Sequence, residues 1–208
     1  MELILIRHGE SAHNIGASES HDSPLSALGL LQADAAGEAL QGLGIERLAC
    51  SLQLRGLMTA DAIGRRLNIK PEAWFELSER GFSHTETGIP RSVMEKRFPD
   101  ILLPDEADEL GWSRHWTKEN THENAIRMGK AAARLRSMYE EGIVKKIACV
   151  VHQMSCAMLI RKIMGVEDAS DAFFSHTNCG ISLIEYSEKR TTLRKLNDTL
   201  HLQNLRAT

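Results

Sequence analysis

The run LILIRHGES occupies Leu3 to Ser11. Four consecutive aliphatic residues, Leu3 to Ile6, have the signature of a strand buried on both faces. Arg7 and His8 follow at once, and a buried strand end is a costly place for two polar side chains. In an open α/β sheet, however, ligands bind at the carboxyl ends of the strands. Gly9 has no Cβ, so the backbone there can turn sharply or approach a ligand closely. On this reading Arg7 holds an anion and His8 attacks it.

Outward from this run, Ser11 to Ser23 is small, polar and without period, and reads as a loop. Asn14 lies near enough to fold back onto the same ligand; an ordinary loop asparagine is the alternative. Ser26 is a plausible N-cap for a helix in which Leu28, Leu31, Ala35 and Ala39 recur at helical spacing. Gly42 and Gly44 stop it. Leu48 to Cys50 forms a second short strand and runs into SLQLRGLMTADAIGRRL. Leu54, Leu57, Met58, Ala62 and Ile63 suit an amphipathic helix there. Arg55 falls in its first turn, where a cation opposes the helix dipole. A bound anion removes that conflict, whereas a solvated surface arginine merely tolerates it.

Ala73 to Leu77 reads as a third strand, with Glu79 after it. The segment 80–120 is the least regular part of the chain. It carries Pro90, Pro99, Pro104, a short helical stretch near Ser92 to Arg97, and Trp112 and Trp116 on one helical face. A hydrophobic cluster beneath an insertion explains the tryptophans, and a lid over a site is the functional alternative. A long helix then runs from Asn120 to Gly142. Ile147 to Val151 is the clearest strand, closed by His152 and followed by a helix over Met154 to Met164. Ile181 to Tyr186 and Thr191 to Leu196 read as two strands of a hairpin. The whole is expected to be one domain, 1–208, with one insertion at about 80–120 over the site.

The totals narrow the function. With 208 residues and a quarter of them charged, the chain is long enough for a substantial core. A formal charge of −3 gives no electrostatic case for nucleic acid or acidic membranes. Nine histidines and four cysteines include no HExxH, no CxxC and no zinc-finger spacing, so neither metal nor cofactor is expected. Cys50 and Cys149 lie in apolar runs and read as core. Neither a signal peptide nor a membrane span is evident, and the cytoplasm is the expected compartment.

Alternating strands and helices imply a largely parallel sheet with helices on both faces. Three apolar strands are followed by Arg7-His8, by Arg55 and by His152, so two arginines and two histidines meet on one rim. Such a cluster repels itself unless an anion sits within it. If the strand from Ile181 runs antiparallel, Asn178 joins that rim.

These residues match a family. LIRHGES resembles the signature of the histidine phosphatase superfamily, which includes cofactor-dependent phosphoglycerate mutases and many small phosphatases. PLSALGLLQA, SLQLRGLMTA, ELSE, VVHQMS and TNCGISLIEY are similar to further family segments, in the family's order. The resemblance implies a three-layer α/β/α sandwich, phosphoglycerate mutase-like, its sheet mostly parallel with one antiparallel strand. It implies His8 as the phosphorylated nucleophile and Glu79 as proton donor, with Glu76 and Glu86 within reach of the same region. It implies a phosphate pocket of Arg7, Arg55 and His152, assisted by Asn14. Gln153 departs from the family's usual glycine, and its longer side chain would narrow the pocket or add a donor to the phosphate. The expected activity is metal-independent hydrolysis of a small phosphomonoester. Phosphoglycerate mutase-type transfer and non-catalytic phospho-ligand binding are the alternatives. The mutase branch usually carries a longer insertion and a tyrosine–proline-rich stretch, whereas this chain has only Tyr139 and Tyr186.

Overall fold

A computed structural model of the chain describes residues 1–80, 88–111, 119–167 and 171–205. Its centre is a six-stranded sheet. β1 (Glu2–Arg7) lies between β4 (Lys146–Val151), parallel to it, and β5 (Ile181–Tyr186), antiparallel. β2 (Arg47–Cys50) continues the parallel part on the far side of β4, with β3 (Glu72–Ala73) outside it. β6 (Thr191–Asp198) closes the other edge as the antiparallel partner of β5. The order is β3-β2-β4-β1-β5-β6, and β5 alone opposes the other strands.

Side chains alternate across this sheet, as strand geometry requires, and each face has its own core. Ile4, Ile6, Leu48, Cys50, Ala148 and Val150 pack beneath α1 (Ala27–Leu40) and α2 (Leu54–Leu67). Leu3, Leu5, Ala49, Ile147, Cys149 and Val151 face α4 (Thr121–Glu140) and α5 (Gln153–Met164). The result is the expected α/β/α sandwich. Cys50 and Cys149 are fully buried, as their apolar surroundings predict.

Register sets the site. Arg7 pairs with Val151, and Cys50 with Val150, so β1, β2 and β4 end almost level. Whatever follows those three ends is delivered to one rim.

Two local expectations change. The hydrophobic stripe predicted for α1 is not its buried face: Leu31 is 56% exposed, and Gly29, Ala33, Ala36, Gly37 and Leu40 point inward. Small residues occupy that face because backbones meet there. A Cβ on Gly9 would stand 2.4 Å from the Gly29 carbonyl oxygen, so Gly9 makes room for α1. Ser26 does cap the helix, accepting from the Gly29 N–H.

The third strand is only Glu72–Ala73. Phe75–Leu77 instead winds into a short 3₁₀ turn, with Leu77 N–H donating to the Trp74 carbonyl. That turn takes the chain off the sheet edge toward the N-terminus of α5, where Glu79 arrives. Beyond it, α3 (Arg91–Arg97) falls where the sequence placed a short helix. Its Met94, with Phe98, Ile101 and Ala107, joins the core beneath α1 and α2. Glu86, Trp112 and Trp116 lie outside the described residues. No helix among the described residues is long and apolar enough to cross a membrane.

Candidate active site

His8 leaves β1 and is buried, 3% exposed. Its Nδ1 lies 2.6 Å from the Gly9 carbonyl oxygen, an atom that can only accept, so Nδ1 carries the ring proton. Nε2 therefore presents a lone pair, and the Nε–H of Arg55 donates to it at 3.2 Å. Burial, reinforced by Arg55 and Arg7, holds the His8 imidazolium form well below its ordinary pKa. The ring is a neutral base with its free nitrogen aimed at a guanidinium.

Arg55, second residue of α2, also donates through Nη1 to the His21 carbonyl. This ties the loop after β1 to the helix and answers the question of a surface arginine: the residue is 6% exposed. One turn on, the Thr59 hydroxyl donates to the Arg55 carbonyl and accepts from the Gly9 N–H at 3.1 Å. Thr59 thereby clamps the turn after His8.

Arg7 points to the other side. Its Nη1 donates to the His176 carbonyl at 2.7 Å and reaches Gln153 Oε1 at 3.5 Å. Burial lowers its pKa, with Glu79 opposing the shift. Gln153 Oε1 also accepts from the His176 N–H at 3.0 Å, which orients the amide.

His152 follows β4 and is fully buried, its ring 4.8 Å from that of His8. Its Nε2 lies 2.6 Å from the Ser51 hydroxyl. Burial, then Arg55, His8, Arg7 and Arg127, hold it neutral too. Among the described residues, His152 Nδ1, Arg7 Nε and Gln153 Nε2 are buried without a hydrogen-bond partner. Three such atoms on neighbouring side chains suit a ligand with several acceptor oxygens.

Glu79 stands at the N-terminus of α5. Its Oε1 accepts from the Ser155 N–H at 2.9 Å and its Oε2 from the Met154 N–H at 3.0 Å. Its own N–H donates to Gln53 Oε1 at 2.8 Å. Glu76 is turned away and pairs with Arg134 at 3.7 Å. Asn14 is linked to the centre indirectly: its Oδ1 accepts from Asn178 Nδ2, which also donates to the His8 carbonyl. With β5 antiparallel, Asn178 reaches the rim as expected.

A sequence model of the histidine phosphatase superfamily, branch 1, matches residues 3–199. The chain belongs to that family. It is 26% identical over 202 residues to the uncharacterized phosphatase PhoE of Bacillus subtilis (strain 168), covering 96% of each chain. Identity to the probable phosphoglycerate mutase GpmB of Salmonella typhi is 28% over 200 residues, covering 91% of this chain and 87% of the relative. Among solved structures, the α-ribazole phosphatase of Shigella flexneri superposes with a TM-score of 0.72 at 27% identity, covering 95% of this chain and 96% of the other.

Of the residues singled out in the sequence, Arg7, His8, Arg55, His152 and Gln153 gather around one small volume, and Glu79 flanks it. Ser51, Gln53, Thr59 and His176 escaped notice. Ser51 was within reach of the strand-end logic, since it directly follows β2, and Thr59 lies one helical turn from Arg55.

Two buried neutral histidines have a consequence for stability. When the chain unfolds they regain ordinary basicity, so the unfolded state binds protons that the folded state refuses as pH falls below about 6.5. Above that pH neither histidine contributes; below it, stability declines by up to about 1.4 kcal/mol per pH unit for each. Urea unfolding across this range should show the decline, and His8→Asn should remove one histidine's share of the slope. A slope untouched by that substitution would mean His8 is not held neutral.

Proposed function

We propose that this family member hydrolyses a small phosphomonoester, without a metal ion, through a phosphohistidine on His8. The carrying observation is the fixed tautomer of His8, whose Nε2 lone pair faces Arg55, one of the two arginines that would hold the phosphate. Arg7, Arg55 and His152 bind the phosphoryl oxygens, Gln153 Nε2 adds a donor, and Asn14 assists. Two guanidiniums supply charge stabilisation that phosphoryl transfer otherwise draws from metal ions. His8 Nε2 attacks phosphorus in line, the bond to the leaving oxygen breaks, and Glu79 gives that oxygen a proton. Water then attacks the phosphohistidine, Glu79 takes its proton, and inorganic phosphate leaves.

A leaving-group comparison tests the acid. Glu79→Gln should reduce kcat/KM on an alkyl phosphate by roughly 10² or more, and far less on p-nitrophenyl phosphate, whose leaving group needs little help. Equal losses would assign the proton elsewhere. Turnover should also survive EDTA; loss of activity in chelator, restored by a divalent cation, would contradict the metal-independent mechanism.

Similarity to a probable phosphoglycerate mutase supports a second reading, in which the phosphoryl group returns to substrate. Assaying 3-phosphoglycerate for isomerisation against phosphate release separates the two.

A further inference from the structure

Arg127 lies on α4, near enough to His152 to be one of the charges that hold it neutral, and it uses its whole guanidinium. Nη1 donates to the carbonyls of Glu76, at 2.5 Å, and Ser78, at 2.7 Å. Nε and Nη2 form a bidentate pair with Glu119 at 2.7 and 2.5 Å, and Nη2 also donates to Asn124 at 3.1 Å. The Arg127 and Glu119 side chains are only 9% and 8% exposed. A buried ion pair is a poor source of net stability, because desolvation offsets much of the attraction.

What the pair does achieve is geometric. The two carbonyls it holds, Glu76 within the 3₁₀ turn and Ser78 directly after it, flank Leu77 on the approach to Glu79. The Glu79 carboxylate is in turn held by N–H groups in the first turn of α5, and its backbone N–H by Gln53. The segment carrying Glu79 is thus gripped between α4, α5 and the start of α2. Only the α4 grip comes from a charged side chain locked by its own carboxylate.

We propose that Arg127, locked by Glu119, is a positioning residue that sets where the Glu79 carboxyl stands relative to the leaving oxygen. This rests on Glu79 being the proton donor. Loosening the 76–78 backbone leaves Arg7, Arg55 and His152 in place, so the phosphate is still gripped and His8 still attacks. The loss falls on protonation of the leaving group. Lysine cannot reproduce the fork, because one ammonium does not span two carbonyls and a bidentate carboxylate.

The test compares kcat/KM for an alkyl phosphate and for p-nitrophenyl phosphate in wild type, Arg127→Met, Arg127→Lys, Glu119→Gln and Glu79→Gln. Arg127→Met should lose roughly tenfold to a hundredfold on the alkyl phosphate and little on the aryl ester, as small misplacements of a reacting group do. Arg127→Lys and Glu119→Gln should show the same selectivity at smaller size, and they answer the question if Arg127→Met does not fold. Combining Arg127→Lys with Glu79→Gln should cost no more than Glu79→Gln alone. Equal losses on both substrates, or lower thermal stability with unchanged selectivity, would overturn the positioning role while Glu79→Gln still behaves as the acid. If Glu79→Gln itself shows no leaving-group selectivity, the proton-donor reading fails, and this inference with it.

Discussion

His8→Ala is expected to reduce turnover of every phosphomonoester by on the order of a thousandfold or more, because it removes the proposed nucleophile. The phosphate grip should remain. Arg7 is fixed by the His176 carbonyl, and His152 by Ser51, neither through His8. Inorganic phosphate or vanadate should therefore still protect the variant against thermal unfolding. Loss of catalysis with retained anion protection distinguishes a missing nucleophile from a collapsed pocket. A variant that keeps a tenth of wild-type activity would show that His8 does not carry the phosphoryl group.

Arg55→Ala should cost on the order of 10²–10³ in kcat/KM, the usual result of removing one preorganised donor from a transition state that spreads charge over its oxygens. A second effect comes from its 3.2 Å contact with His8 Nε2. Arg55 is one of the causes that keep His8 neutral at low pH. Without it, His8 protonates more readily, so the acid limb of the pH–rate profile should move to higher pH. Arg55→Lys keeps a charge but loses the fork, and should recover only part of the rate. An acid limb unmoved in Arg55→Ala would mean that another group controls it.

Much of this was legible because the chain advertises its strands. Leu3 to Ile6 and Ile147 to Val151 are unbroken apolar runs, and a run buried on both faces identifies a central strand whatever follows it. Once β1, β2 and β4 are recognised as parallel, their carboxyl ends must share a rim, and Arg7, His8, Arg55 and His152 converge without further information. The stripe on α1 was misread because its inner face is built from glycine and alanine, selected for close backbone approach rather than for hydrophobicity. The third strand was overextended because Phe75 to Leu77 has apolar content suited to a strand but closes a 3₁₀ turn. Ser51 and Arg127 were hidden for a different reason. Ser51 meets His152 across 101 positions of sequence, and Arg127 meets Ser78 across 49. Chain position alone puts Ser51 at a strand end, but its partner, like those of Arg127, comes from tertiary contacts that no local pattern encodes. Glu79 falls between these cases: the family segment ELSE marks it, while only the fold shows its carboxylate seated on the first turn of α5.

The covalent intermediate is the central claim, and it can be observed directly. Wild-type enzyme mixed with excess p-nitrophenyl phosphate and quenched rapidly in alkali, where phosphohistidine survives, should gain the mass of one phosphoryl group. Peptide mapping should place that group on His8, and acid should release it as inorganic phosphate. His8→Ala should gain nothing under the same conditions. Rapid turnover with no trapped phosphoenzyme at any quench time, or a phosphoryl group on any residue other than His8, would contradict the mechanism.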